Sequence, residues 1–333
     1  MIHSTKKSLI PAGGAVLALA FGLAACAPAG TDGGTEGESY TIAAVLPNTS
    51  DPFWQTIACG VQARGEELGV DIQQFNATTT DSNTIASNFQ TATLLEPDGL
   101  IVSPFNNNQF VAQYTQLMQD GVPIVTGNGT DPQAEYRNVF SDTDTARFAE
   151  DIADLIPEGA GSMVFMGGAP GIPPLEGRTQ PFYEAVQELR PDLTPLPVEY
   201  SGFDINTATT DIASLIIANP ELKLVIAATG PDGVGAAAAI EQAGKTGEIT
   251  LIAFDAVPPE VEALRAGTIT ALIAQDPFQI GVSSVDEIVD YLNANPDGGP
   301  VEIADRVRIP NALLTADNID APENEKYLYT TEC

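Results

Sequence analysis

The sequence predicts an α/β protein with two doubly wound parallel-sheet domains. Short strands that are apolar throughout, such as 99–103 and 222–227, alternate along the chain with helical segments. This alternation is typical of parallel sheets that are covered by helices on both faces. Roughly eleven strands can be recognised, which is more than one open sheet normally holds. A single eight-stranded barrel agrees poorly with that count and with the absence of an eightfold rhythm, whereas the length of 333 residues suits two domains.

Residues typical of helix ends delimit the elements in the first half of the chain. Pro52 opens one helical stretch and Gly69 follows its end, which favours a helix between them. Ile85 and Phe89 have helical spacing in the next segment. The predicted strands are 40–46, 70–75, 99–103 and 122–126, and the predicted helices are 52–68, 82–95 and 109–119.

The same rhythm continues through the second half of the chain. A loop rich in Gly and Pro, 167–174, separates one strand from the helix that follows it. The predicted strands are 138–141, 162–166, 195–200, 222–227, 249–254, 268–274 and 301–309, and the predicted helices are 143–156, 179–189, 207–218, 233–243, 259–266 and 278–293.

The N-terminus has the pattern of a secretion signal. Two lysines, Lys6 and Lys7, precede an apolar run over 9–25, and small residues lead to Cys26. The cysteine in this position resembles the bacterial lipobox, which implies cleavage before Cys26 and membrane attachment through lipid on that residue. An ordinary signal with a chance cysteine is the alternative; a retained anchor is disfavoured because the run is short for a span of about 20 residues. We therefore expect a signal peptide at 1–25, a lipid-anchored tether at 26–38 and an extracytoplasmic location, at the cell surface or in the periplasm.

Charge and composition exclude several classes of function. The chain has 13 Lys and Arg against 45 Asp and Glu, a formal net charge of -32. Nucleic-acid binding needs basic residues that displace counterions from phosphates, so a nucleic-acid partner is excluded. The single histidine, His3, lies in the predicted signal, so the mature chain lacks Ser-His-Asp, Cys-His and histidine–zinc chemistry. No phosphate loop or dinucleotide fingerprint is present, and we expect neither a cofactor nor a metal ion.

Two cysteines remain after the predicted cleavage, Cys59 and Cys333. Outside the cytoplasm paired thiols tend to oxidise. Cys59 falls off the apolar stripe of its predicted helix, and Cys333 is the last residue. We hypothesise a Cys59–Cys333 disulfide that ties down the tail, with two free thiols as the alternative.

Ligands of parallel α/β sheets bind beyond the carboxyl ends of the strands, so the residues that follow each strand are candidates for a binding site. In this chain those positions are rich in aromatic, amide and carboxylate side chains, which suit a ligand with hydroxyl groups. The candidates are Asp51, Phe53, Trp54, Asn106, Asn128, Thr229, Asp255 and Gln275.

Four segments resemble the ribose-type periplasmic solute-binding proteins, which deliver sugars to ABC importers. The segments are 41–54, 98–104, 252–255 and 273–281, and the last of them is the most specific. The resemblance implies two similar α/β domains joined by a three-segment hinge, with the ligand in the cleft between them. The implied divisions are domain one at 39–127 plus 276–303, domain two at 128–275 plus 304–316, and a C-terminal tail at 317–333.

The resemblance also implies roles for most of the candidate residues. Asp51, Asp255 and Gln275 would exchange hydrogen bonds with sugar hydroxyls, and Arg178 would donate to two ligand oxygens at once. Aromatic walls would come from Phe53, Trp54 and Phe203, while Asn106 and Asn128 would contribute amides. The implied function is a monomeric substrate-binding lipoprotein, not an enzyme, that captures a small neutral sugar or polyol and delivers it to a membrane ABC permease.

Other interpretations of these residues stay open. Phe53 and Trp54 could be core, Arg178 could pair with Glu176, and Asp255 could cap a helix. Thr229-Gly230-Pro231-Asp232 stands where many relatives have Asn-Asp, and Asn106 replaces a common Asp, so the ligand could be another pentose, a hexose, a sugar alcohol or a furanone-like signal. A sensor lipoprotein, or a glycoside hydrolase with Asp51 and Asp255 as its carboxylate pair, are the alternative functions. We expect most acidic residues on the solvated surface and a pocket that is not especially acidic.

Overall fold

The computed structural model describes residues 39–104, 109–128, 137–142, 144–299, 301 and 307–333. Strands and helices alternate through these ranges, as the sequence predicts. The predicted signal and tether, Cys26 included, lie outside the described residues. The strands are β1 (Thr41–Val45), β2 (Asp71–Gln74), β3 (Gly99–Val102), β4 (Ile124–Gly127), β5 (Arg137–Asp142), β6 (Gly161–Met166), β7 (Leu193–Pro195), β8 (Leu222–Ala227), β9 (Thr250–Phe254), β10 (Ala271–Ala274), β11 (Val307–Pro310) and β12 (Ala312–Leu314).

The helices cover both faces of the sheets. None of those in the described ranges has both the length and the apolar character that crossing a membrane requires. A short 3-10 helix, Pro322–Tyr327, lies near the C-terminus. The α-helices are α1 (Pro52–Leu68), α2 (Ser82–Thr93), α3 (Val111–Gln119), α4 (Thr145–Ala153), α5 (Pro173–Leu189), α6 (Ile205–Ala218), α7 (Gly230–Gln242), α8 (Pro258–Arg265) and α9 (Pro277–Ala294).

The strands form two six-stranded sheets with the same topology. Their orders are β11-β5-β4-β3-β1-β2 and β12-β10-β9-β8-β6-β7. Each order follows the doubly wound pattern, in which the second strand of the half lies on one side of the first strand and the later strands are added on the other side. The two sheets differ at one edge, since β11 pairs parallel with β5 whereas β12 pairs antiparallel with β10. The predicted fold class, with two doubly wound halves, is confirmed.

Two of the expected domain boundaries are wrong. The sequence assigned 138–141 and 304–316 to the second domain, but β5 pairs with β4 and β11 pairs with β5, so both strands complete the first sheet. The chain therefore leaves the first sheet after β5, returns to it after β10 and leaves it again after β11. Strand partners lie far apart in the sequence, so local apolar patterns identify a strand without identifying its sheet.

Smaller differences concern short or Pro-rich elements. α5 begins at Pro173, within the segment predicted to be a loop, because proline is compatible with the first turn of a helix. The sequence predicted neither β12 nor the 3-10 helix. Only one of the three β12 residues is buried, so β12 lacks the alternation of buried and exposed residues that would mark a strand in the sequence.

The helices α1 and α9 pack closely against each other beneath the first sheet. A Cβ atom at Gly60 would overlap the backbone of Phe278, and one at Gly281 would overlap the carbonyl oxygen of Ile57. The helix N-caps, Asp51 for α1 and Asp276 for α9, are both aspartates whose side chains accept backbone N–H groups. This close packing holds the beginnings of the two helices in fixed relative positions.

A disulfide joins Cys59 of α1 to Cys333, with a Cα–Cα distance of 5.3 Å. The hypothesised pairing is therefore present. It tethers the end of the chain to a helix of the first sheet.

Candidate functional site

Asp255 is the centre of the hydrogen-bond network at the carboxyl end of the second sheet. It follows β9, is 8% exposed, and its Oδ2 accepts a bond from the Gly230 N–H at 3.0 Å. Its Oδ1 accepts bonds from Gln275 Nε2 at 2.5 Å and from the Tyr329 hydroxyl at 3.2 Å, and lies 3.7 Å from the Arg178 guanidinium. The interpretation of Asp255 as the N-cap of the helix that follows it is wrong, because Val257 is the N-cap of α8. We call Arg178, Asp255, Gln275 and Tyr329 the Asp255 cluster.

Arg178, on α5, is buried and directed into this cluster. Its Nη1 donates to the Ala228 carbonyl at 3.3 Å, its Nη2 donates to Gln275 Oε1 at 3.5 Å, and its guanidinium carbon lies 5.3 Å from the centre of the Phe254 ring. The alternative pairing with Glu176 is wrong: Glu176 accepts a bond from the Gly171 N–H instead. A fork with several donors held in a buried site suits recognition of ligand oxygens.

Gln275 connects the two halves of the protein. It follows β10 and is 1% exposed. Its Oε1 accepts a 2.5 Å hydrogen bond from the Ser141 hydroxyl, at the end of β5 in the first sheet. The carboxyl ends of the two sheets therefore face each other across this contact.

The first half contributes the beginning of α1. The Asp51 side chain accepts a 2.8 Å bond from the Phe53 N–H, which caps the helix. The Phe53 ring lies 5.1 Å from the Trp54 ring in an edge-on arrangement and 5.7 Å from the Tyr329 ring. Phe53 is 7% exposed and belongs to the hydrophobic core, whereas Trp54 is only partly buried. Through Tyr329, the Phe53 ring is next to the Asp255 cluster.

A second network supports Thr229 and Phe203. The Thr229 hydroxyl donates to Asp232 Oδ2 at 2.7 Å, and the Ser201 hydroxyl donates to Asp232 Oδ1 at 2.5 Å. The Phe203 N–H donates in turn to Ser201 Oγ at 3.1 Å. A Cβ atom placed on Gly168 would lie 3.2 Å from the Phe203 side chain and 3.2 Å from the Thr229 side chain, so these two predicted residues are neighbours. Asp232 is fully buried and was not among the predicted residues, although its place three residues after Thr229 at a helix start is a recognisable capping signal.

Asn128 stands apart from the Asp255 cluster. Asn128 is 7% exposed, and its N–H donates to the Val139 carbonyl at 2.7 Å, but its side chain takes no part in the cluster's hydrogen bonds. Asn106 lies outside the described residues. Asn128, Phe203 and Asp255 have φ angles of 55°, 65° and 84°, in the left-handed region that side chains disfavour. Such strained backbone is concentrated at functional sites.

Several buried carboxyls around the site have pKa values above the ordinary range. Burial raises the pKa of Asp51 to about 6, an effect that the charge of Asp255 strengthens and the Phe53 N–H opposes. Burial also raises the pKa of Asp232 to about 6, against hydrogen bonds from Ser201 and Thr229. The pKa of fully buried Glu260 is raised well above its usual range by desolvation first and the charge of Asp255 second.

Asp232 and Glu260 are thus two further buried carboxyls that interact electrostatically with the predicted Asp255. Raised pKa values favour the protonated carboxyl, which can donate as well as accept hydrogen bonds. Within the described ranges, no group of three or more His, Cys, Asp and Glu side chains is arranged to hold a metal ion.

Two α/β halves with facing strand ends, linked by three crossings, define a two-lobed solute-binding protein. The model of the periplasmic binding protein domain matches residues 42–296, so the chain belongs to the periplasmic binding protein family. It is a solute-binding protein of this family.

Curated relatives match at low identity over most of their length. The chain is 25% identical over 251 residues to the ribose import binding protein RbsB of Salmonella typhimurium, a match that covers 74% of this chain and 82% of the relative. It is 24% identical over 266 residues to the D-allose-binding periplasmic protein of Escherichia coli, covering 74% and 83%.

Solved structures share the fold. An ABC transporter solute-binding protein from Agrobacterium vitis, bound with α-D-tagatopyranose, superimposes with a TM-score of 0.77 at 24% identity over 88% of this chain and 100% of that protein. The glucose-galactose binding protein GanP of Geobacillus stearothermophilus gives a TM-score of 0.75 at 18% identity, over 85% of this chain and 100% of that protein.

Proposed function

We propose that the protein captures a small neutral sugar or polyol and delivers it to the membrane permease of an ABC importer. The observation that carries the proposal is the Asp255 cluster, in which a carboxylate, an amide and a guanidinium converge in a buried site next to the Phe53 ring. The ribose, allose and tagatopyranose named for the relatives and the matching structure support this class of ligand.

The chemistry of the site suits a ring with hydroxyls at its rim and C–H groups on its faces. Asp255 and the Gln275 amide can exchange hydrogen bonds with hydroxyls, and Arg178 can only donate them. The flat ring of Phe53, with Trp54 beside it, suits the apolar faces of a sugar. Asp51, Thr229, Phe203, Asn128 and Asn106 complete the proposed ligand set.

Closure of the two halves around the ligand accompanies binding in this proposal. The chain changes from one half to the other three times, after β5, after β10 and after β11, and such crossings can absorb a hinge rotation. The 2.5 Å bond from Ser141 to Gln275 joins the two halves at the Asp255 cluster. We expect that bond to depend on whether the cleft is open or closed.

The membrane and partner assignments are also part of the proposal. The sequence pattern supports lipid attachment at Cys26, with the tether 26–38 holding a monomer at the outer face of the membrane. Membership of the periplasmic binding protein family supports the extracytoplasmic location. Replacing Cys26 by Ser should move the protein from the membrane fraction to the soluble fraction, and an unchanged distribution would contradict lipid anchoring.

We propose binding without turnover. Both oxygens of Asp255 are engaged by donors, which is a poor arrangement for a general acid or base that must exchange protons with a substrate. Hydrolysis of a chromogenic glycoside that Asp255→Asn abolishes would contradict this part of the proposal.

Calorimetry on the mature protein tests the central claim. The probes are D-ribose, D-allose, D-arabinose, D-tagatose, D-galactose and D-mannitol, with Trp54 fluorescence as a second signal. We expect one-to-one binding of at least one probe and its weakening in Arg178→Ala. Binding of none of them by folded wild-type protein would refute the proposed ligand class.

A further inference from the structure

The C-terminal tail, residues 317–333, lies across both halves of the protein. On the second half, Asp320 pairs with Arg265 of α8 at 2.6 Å, and the Tyr329 N–H donates to the Ala256 carbonyl at 3.2 Å. On the first half, the Thr330 N–H donates to Thr56 Oγ1 at 2.9 Å. The disulfide between Cys59 and Cys333 then closes the tail onto α1. The tail is thus a fourth connection between the halves, in addition to the three crossings.

Tyr329 is the tail residue that enters the candidate site. It is 5% exposed, and its ring packs against Phe53 of the first half. Its hydroxyl donates to Asp255 Oδ1 at 3.2 Å and accepts a bond from the Gln275 N–H at 3.4 Å. Burial raises the pKa of Tyr329 well above its usual value, so the phenol keeps the proton that it donates.

The hydrogen bonds of Asp255 show what this contact does. A carboxylate has about four lone-pair sites, two on each oxygen. Among the described residues, Oδ1 accepts from Gln275 and Tyr329, and Oδ2 accepts from Gly230, which leaves one site on Oδ2 for a ligand hydroxyl. With both sites on Oδ1 occupied, the carboxylate cannot rotate without breaking a bond, so the direction of the remaining site is set.

We propose that Tyr329 is a positioning residue of the sugar site: it orients Asp255 toward a ligand hydroxyl, and the Cys59–Cys333 disulfide holds it there. The inference rests on the proposed function. It gives the C-terminal tail a role in ligand recognition in addition to its role in stabilising the fold. Tyr329 acts through Asp255, so its effect on binding should disappear when Asp255 can no longer accept in the same way.

A double-mutant cycle on the mature protein tests this inference. The variants are Tyr329→Phe, Asp255→Asn and their combination, and the probe is whichever of the six calorimetry probes (D-ribose, D-allose, D-arabinose, D-tagatose, D-galactose and D-mannitol) wild type binds most tightly. We expect Tyr329→Phe to weaken binding about 5- to 20-fold, which lies between the loss of a neutral hydrogen bond and the loss of one to a charged group, because Tyr329 acts on the ligand only through Asp255. In the Asp255→Asn background the same change should cost less than about twofold, because residues acting through one contact are not additive.

The control is Tyr327→Phe, which removes a hydroxyl from the same tail and should bind the probe as wild type does. Wild-type affinity in Tyr329→Phe, or losses that simply add in the combined variant, would overturn the inference while leaving the proposed function intact. A wild-type protein that binds none of the six calorimetry probes would refute the proposed function and this inference together.

A second measurement tests whether the Cys59–Cys333 disulfide holds Tyr329 in place. The variant Cys59→Ser with Cys333→Ser should weaken binding by a factor similar to that of Tyr329→Phe, and adding Tyr329→Phe to it should change the affinity little. Far-ultraviolet circular dichroism verifies that the variant is folded. Wild-type affinity in the folded double-serine variant would overturn the role given to the disulfide.

Discussion

The disulfide gives a prediction about stability whose size follows from the chain length that it closes. Replacing Cys59 and Cys333 by serine removes a cross-link with a sequence separation of 274. For a loop of that length, the chain-entropy relation gives about 5–6 kcal/mol at 25 °C, as a loss of freedom in the unfolded chain. Residual structure in the unfolded state lowers the effect, and native disulfides typically contribute 2–5 kcal/mol. We therefore expect the free energy of unfolding to fall by about 3–5 kcal/mol.

Urea unfolding measures this difference. Trp54 fluorescence reports on α1, close to the disulfide, and far-ultraviolet circular dichroism reports on the whole fold. Coincidence of the two transitions tests whether a single free energy describes unfolding. Wild type in reducing agent should match the double-serine variant, and reducing agent should leave that variant unchanged. A loss below about 1 kcal/mol would refute the reasoning, because it would mean that the cross-link hardly restricts the unfolded chain.

Three further predictions concern the site and its support. Arg178→Ala should weaken binding of the sugar probe by about 1.5–3 kcal/mol in calorimetry, through loss of charge-assisted hydrogen bonds, with Arg178→Lys intermediate; equal affinity in all three proteins would exclude Arg178 from the site. The pKa of Asp51 and that of Asp232 are about 6 in the folded protein, against 3.8 for an ordinary aspartate. At pH values between 3.8 and about 6 the folded state therefore binds more protons than the unfolded state. The free energy of unfolding should therefore fall as pH rises from about 4 to 7, by up to about 3 kcal/mol per carboxyl. Asp232→Asn should reduce this pH dependence of the unfolding free energy. An unchanged pH dependence in that variant would contradict the buried Asp232 carboxyl as its source. Gly281→Ala should destabilise the protein by about 1–3 kcal/mol because it forces α1 and α9 apart, whereas Gly177→Ala, with open space at its Cβ, should be neutral or slightly stabilising in the same urea assay.

Several site residues could be found because parallel sheets impose a rule on their positions. Asp255 follows β9, Gln275 follows β10 and Thr229 follows β8, and the carboxyl ends of these neighbouring strands lie at one edge of the sheet. Apolar runs locate the strands, so the residues that follow them can be named without knowing any contact. Arg178 was different: it lies inside a helix, and only the family resemblance singled it out.

Other residues depend on contacts that no local pattern reports. Tyr329 is 74 positions from Asp255, and Ser141 is 134 positions from Gln275, so neither pair has a sequence signal. Glu260 is a further case, since only its complete burial beside Asp255 raises its pKa.

The sequence by itself determined the α/β class, the two doubly wound halves, the two cysteines available for pairing and the strand-end candidates. Those features depend on residue type and short-range periodicity, which can be seen in the amino-acid sequence without knowledge of any long-range contact. Only the tertiary structure decided that β5 and β11 belong to the first sheet, that the tail delivers Tyr329 to Asp255, and that burial raises the pKa of Asp51 and of Asp232. These features depend on which distant surfaces pack together, because strand pairing, burial and the fields of neighbouring charges arise only once the halves have assembled.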